Sequence, residues 1–219
     1  WHDAFTVGDL LVRAAERDPA ADAIVFPDRR CSYGELEAAA FAAARSLAAL
    51  GLRKGSHVGI LMPNCMDFVE ILFGASLLGA VVVPINARFK ARELGHVIAD
   101  GDIDVLVTSD IIEQHTDYVA LLHETLPGLA DAPDPRSLAL PGAPRLRTVV
   151  LLGNRGAAGM LDRAAFTALA EHITDDEVDL RRSRVAMRDV ALMMYTSGTT
   201  GMPKGCPLSH EALLRTAIV

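Results

Sequence analysis

Between His57 and Tyr195, short apolar runs rich in Val, Ile and Leu alternate with longer segments of helical spacing, and this alternation restricts the fold more than any other feature. The pattern predicts strands over His57 to Met62, Ala80 to Pro84, Asp104 to Thr108, Arg147 to Leu152 and Val190 to Tyr195. Helices are expected over Asp67 to Leu78, Ala91 to Ala99, Ile111 to Leu126 and Leu161 to Ile173. Uninterrupted runs such as Val81-Val82-Val83 suit strands buried on both faces. The expected fold class is α/β, a mostly parallel sheet flanked by helices and joined by right-handed crossovers.

The N-terminal part carries sharper local signals. Thr6 followed by Asp9, Leu10, Leu11 and Ala14 reads as a capped helix that Pro19 ends, and Ala23 to Phe26 with Cys31 to Tyr33 as a short hairpin around Pro27 to Arg30. Ser32 and Glu35 have capping-box spacing, so a long alanine-rich helix should start there and close at Gly51. Pro127 to Pro144, rich in Pro, Ala, Gly and Asp, reads as an exposed connection, and Asp175 to Arg188 as a charged approach to the last strand.

That last strand leads into Tyr-Thr-Ser-Gly-Thr-Thr-Gly-Met-Pro-Lys-Gly, Tyr195 to Gly205, expected to lie between an apolar strand and a helix for which Ser209 would be the cap. Thr196, Ser197, Thr199 and Thr200 offer hydroxyl donors. Gly198 and Gly201 allow positive φ and close approach of backbone N–H groups to an anion, and Lys204 adds a point charge. Together they suit the phosphates of a nucleotide. A Walker A loop is excluded, because Gly198 has Pro203 five positions on and Lys204 is followed by Gly205. Tyr195 should anchor the strand end, Cys206 should be a small buried filler, and His210 in a first helical turn reads as structural. Ser197 lacks the Gly-x-Ser-x-Gly setting of a hydrolase nucleophile.

Composition removes other classes. With 51% apolar and 22% charged residues the 219-residue chain is globular, and a net charge of -7 gives no basic face for nucleic acid. Three dispersed cysteines, Cys31, Cys65 and Cys206, form neither a zinc knuckle nor a disulfide framework and point to a reducing cytoplasm. The apolar stretch from Phe68 to Ile85 contains Glu70, Gly74, Gly79 and Pro84 and reads as a buried helix running into a buried strand, not a membrane span. No signal-peptide pattern opens the chain, and His2, His57, His96, His115, His123 and His172 show no metal-ligand spacing.

Position for position, Tyr195 to Gly205 resembles the phosphate-binding signature of the adenylate-forming superfamily, which includes acyl-CoA synthetases, peptide-synthetase adenylation domains and luciferases. Ser32-Tyr33-Gly34-Glu35-Leu36 is similar to the superfamily's Thr-Tyr-x-Glu-Leu element. Gly79 to Asn86, ending Pro84-Ile85-Asn86, resembles its Gly-Ala-x-x-Val-Pro-Leu/Ile-Asn element in the acyl-CoA synthetase wording. Each upstream element taken singly is adequately explained as packing. They locate the fold and leave the chemistry to the loop.

The resemblance implies an ATP-dependent carboxylate-CoA ligase. A carboxylic acid would be activated as acyl-adenylate with release of pyrophosphate, then passed to coenzyme A, with Mg2+ as the metal. Thr196, Ser197, Gly198, Thr199, Thr200, Gly201 and Lys204 would hold the β- and γ-phosphates, and no residue of the chain is assigned as nucleophile, acid or base. Residues 1–188 would form a first α/β subdomain and 189–219 the strand, loop and helix that begin the next. The superfamily's adenine, ribose, metal and catalytic-lysine elements are not in the sequence, so the chain reads as the N-terminal portion of a longer enzyme, inactive by itself. The alternative is a non-catalytic nucleotide- or pyrophosphate-binding module.

Overall fold

The computed structural model describes residues 6–112, 115–196 and 201–217. Helix α1 (Val7–Arg17) starts where the Thr6 hydroxyl accepts from the Asp9 N–H at 3.1 Å. Strands β1 (Asp22–Val25) and β2 (Arg30–Ser32) form the expected antiparallel hairpin, which feeds helix α2 (Tyr33–Ala49) through the Ser32/Glu35 capping box. Gly51 ends that helix at φ 90°, where a side chain would be strained.

Strand β3 (His57–Leu61), helix α3 (Met66–Leu77), strand β4 (Val81–Pro84), helix α4 (Ala91–Asp100) and strand β5 (Val105–Thr108) then alternate as the sequence pattern requires. Helix α5 (Tyr118–Thr125), strands β6 (Thr148–Leu151) and β7 (Leu161–Asp162), helices α6 (Arg163–Ala168) and α7 (Asp175–Arg182), strands β8 (Val190–Thr196) and β9 (Lys204–Ser209) and helix α8 (His210–Ala217) complete the described elements. The larger sheet has the order β7-β6-β5-β3-β4-β8-β9, with every neighbouring pair parallel except β8 and β9.

Side chains alternate across this sheet and build two cores. Val58, Ile60, Val82, Val105, Val107 and Val150 face α1, α2, α3, α6 and α7, whereas Leu61, Val83, Leu106, Val149 and Leu151 face α4, α5 and the segment after it. Strands β5 and β6 are buried at every position, which is why they read as continuous apolar runs. Helices α2 and α3 meet closely: a Cβ built on Gly74 would lie 2.9 Å from the Ala43 Cβ and 3.0 Å from the Ala40 carbonyl oxygen.

Several expectations need correction. The helix placed over Ile111 to Leu126 begins only at Tyr118, because Asp117 Oδ1 takes the Ala120 N–H at 2.9 Å and sets the cap there. Leu161 and Asp162 pair with β6 as a strand instead of opening a helix, Asp162 then caps α6, and Leu169–His172 is a 3-10 turn. Within the charged stretch after Ile173 lies a full helix, α7, with a Thr174/Glu177 capping box, acidic residues in its first turn and Arg181 and Arg182 in its last. The connection at 127–144 is less exposed than its composition suggested: Leu129, Leu138, Leu140 and Ala143 are buried beneath it. Finally, the chain passes from the signature segment into a second strand, β9, before α8 begins.

Candidate functional site

The described ends of the signature segment lie in two paired strands. Strand β8 lies parallel against β4, with Leu192 opposite Val82, and β9 returns antiparallel along its outer side, pairing Tyr195 with Gly205 and Thr196 with Lys204. Thr196 and Lys204 therefore stand at adjacent backbone positions where the turn leaves and re-enters the sheet.

Pairing register also sorts the side chains by face. Residues directly opposite in an antiparallel pair share a face, and successive residues alternate. Met193 and Tyr195 pack toward the core that contains α4. Thr196 and Lys204 consequently project to the other side together with Met194 and Cys206, and all four are exposed, Met194 at 40%. Cys206 is thus not the buried filler expected from the sequence, because its place in β9 puts it on the open face. Ser209 does cap α8, accepting from the Ala212 N–H at 3.2 Å.

The opposite face is anchored. The Tyr195 ring lies across Gly205, where an added Cβ would come within 3.2 Å of its Cζ and hydroxyl oxygen. That hydroxyl donates to Asp100 Oδ2 at 2.7 Å, and burial, followed by this carboxylate, raises the phenol's pKa so that the donor stays protonated. The His96 ring meets the Tyr195 ring edge-on, with centroids 6.5 Å apart at 89°, and its Nε2 lies 2.8 Å from the Pro203 carbonyl oxygen. A carbonyl oxygen only accepts, so Nε2 carries the proton.

Of the residues expected to grip phosphate, Thr196 and Lys204 are brought together by register, and Gly201 is exposed, with none of the described residues within 4 Å of where a Cβ would point. Ser197, Gly198, Thr199 and Thr200 lie outside the described residues. His210 is fully buried at the start of α8, and its Nδ1 accepts the Val7 N–H at 3.1 Å, which gives it a structural contact. Sequence reasoning missed His96 and Asp100. They precede the hairpin by about a hundred positions, and no motif spacing connects them to it.

Among the described residues no three or more His, Cys, Asp or Glu side chains are grouped so that they could hold a metal ion. Nor is any helix among them long and apolar enough to cross a membrane.

Residues 11–219 match the family described as AMP-binding enzyme. The chain belongs to the AMP-binding enzyme family. Within that family it is 35% identical over 207 residues to a feruloyl-CoA synthase of Amycolatopsis sp, covering 94% of this chain and 34% of that protein. It is 31% identical over 209 residues to the long-chain-fatty-acid-CoA ligase FadD13 of Mycobacterium tuberculosis (strain H37Rv), covering 94% of this chain and 35% of the ligase. Among solved structures, the anthranilate CoA ligase AuaEII in complex with anthranoyl-AMP superposes with a TM-score of 0.78 at 25% identity, covering 97% of this chain and 36% of that one. The chain thus spans about a third of the length of these AMP-binding relatives.

Proposed function

We propose that the β8–β9 hairpin and its turn grip the β- and γ-phosphates of ATP in an acid-thiol ligase. The observation that carries this reading is the register that places Thr196 and Lys204 side by side on the open face of the hairpin. Lys204 supplies positive charge and Thr196 a hydroxyl donor to the same small volume, and the intervening sequence adds Ser197, Gly198, Thr199, Thr200 and Gly201 to the proposed phosphate-binding set. Family membership and relatives that are acid-CoA ligases support it.

In the reaction proposed for the complete protein, a carboxylate oxygen of the substrate attacks the α-phosphorus of ATP. The bond from that phosphorus to the bridging oxygen breaks, and pyrophosphate departs with the electron pair. The thiol sulfur of coenzyme A then displaces AMP from the acyl carbon, releasing its proton to solvent. The hairpin's share is confined to the first step: it orients the polyphosphate for in-line attack and stabilises charge on the departing pyrophosphate. On this reading residues 1–188 are a first α/β subdomain and 189–219 open the next.

The test is pyrophosphate-ATP exchange by the complete protein against a panel of aryl and long-chain carboxylic acids. Exchange that depends on at least one acid is expected. ATP binding without exchange for any acid would replace the ligase with a nucleotide-binding module.

A further inference from the structure

We propose that His96 and Asp100 of α4 are positioning residues for the phosphate-gripping turn, one holding its exit and the other its entrance; this rests on the ligase reading. His96 and Asp100 are four residues apart and so present one face of α4 to the hairpin. Asp100 takes the hydroxyl of Tyr195, the residue before Thr196, and His96 donates to the carbonyl of Pro203, the residue before Lys204. The Tyr195 and His96 rings touch edge-on, so the two holds form one connected unit.

The platform beneath them is packed into the core. Leu94, Val97 and Ile98 of α4 are fully buried, its first turn is closed by Glu93 accepting the Lys90 N–H at 2.9 Å, and the Gly101 carbonyl lies 2.6 Å from His57 Nδ1 at the start of β3. Two glycines keep space for the unit. A Cβ on Gly205 or on Gly101 would come within 3.2 Å of the Tyr195 hydroxyl oxygen. Tyr195 and Pro203, the residues that precede Thr196 and Lys204, are thereby both tied to a helix packed on the sheet core, while the face carrying Thr196 and Lys204 stays open.

A turn built to accept a polyphosphate gains from being held in place before ATP arrives, because ordering it on binding would weaken the complex. Removing one hold should therefore appear in the ATP step and leave the acid step alone. In the complete protein, His96→Phe keeps the ring edge against Tyr195 and removes the donor; His96→Gln supplies an amide N–H in its place. His96→Phe is expected to raise KM for ATP about tenfold with KM for the acid unchanged, and His96→Gln to recover most of that loss. Tyr195→Phe, which removes only the hydroxyl, should resemble His96→Phe and covers the case in which the latter does not fold.

Hydrogen exchange of the amides in 196–205 provides a readout independent of activity. Exchange faster in His96→Phe than in the unaltered protein supports the holds even if no acid-dependent adenylation is found, an outcome that would sink the ligase reading alone. Unchanged exchange, an unchanged KM for ATP, or both KM values rising together with a lowered Tm would overturn the positioning role.

Discussion

The Nδ1 atom of His210 accepts the backbone N–H of Val7 at 3.1 Å, joining the first and last helices of the described chain. The contact satisfies one of the unpaired N–H groups at the start of α1. It also requires a neutral ring with the hydrogen on Nε2, which is buried without a hydrogen-bond partner among the described residues. Burial pushes the imidazole pKa down; Asp189 and Asp9 oppose that shift, and Lys54 adds to it. A protonated ring would lose the Val7 bond and face the positive end of α1.

Stability should consequently fall in mild acid. The unfolded chain takes up the proton at the ordinary histidine value of about 6.5, whereas the folded ring resists it. The contribution of His210 is complete above that pH and declines as pH drops through the window below it. His210→Asn keeps an acceptor for Val7 and removes the titration. Urea midpoints of the two proteins should diverge between pH 7.5 and 5.5, the unaltered protein losing more; parallel curves would refute the neutral-ring account.

Two glycines in helices should respond oppositely to alanine. At Gly74 the new Cβ meets backbone atoms of α2 at 3.0 Å, which cannot move without separating the helices, so Gly74→Ala should destabilise by about 1–3 kcal/mol despite its better helix propensity. At Gly95 the added Cβ would meet, among the described residues, Thr125 Cγ2 alone, at an ordinary 3.4 Å. Gly95→Ala should stabilise by roughly 0.5–1 kcal/mol. Denaturant midpoints that shift in the same direction would contradict the packing of α2 on α3.

Thiol labelling tests the face assignment. Cys206 is exposed beside Lys204, whereas Cys31 is buried, Cys65 is half-buried, and burial raises the pKa of both thiols. Iodoacetamide should modify Cys206 first, and ATP should slow that reaction because the nucleotide occupies the same face. Labelling indifferent to ATP would place the nucleotide elsewhere.

The parts of the fold that were readable in the sequence are those fixed by local chemistry. Ser32 with Glu35, Thr6 with Asp9, Gly51 and the Val-rich runs each have one physically sensible local reading, and the structure adopts it. Helix α7 was hidden because only Val178 in it is buried, although Thr174 and Glu177 already carried the capping signal. Strand β9 was hidden for a different reason. Lys204-Gly205-Cys206-Pro207 has no strand pattern of its own, and its extension comes from pairing with β8 at a sheet edge that tolerates Pro207. Likewise, Tyr195 advertised the turn, but the partners of its hydroxyl and ring sit on α4 and become neighbours only through the sheet.

The most direct test of the phosphate grip is single-turnover formation of acyl-adenylate by the complete protein, comparing the unaltered chain with Lys204→Ala. Loss of a charged donor aimed at the departing pyrophosphate should slow that step by about a hundredfold, with the subsequent transfer to coenzyme A from preformed acyl-adenylate unaffected. An unchanged rate of adenylate formation would remove Lys204, and with it the hairpin, from the chemistry.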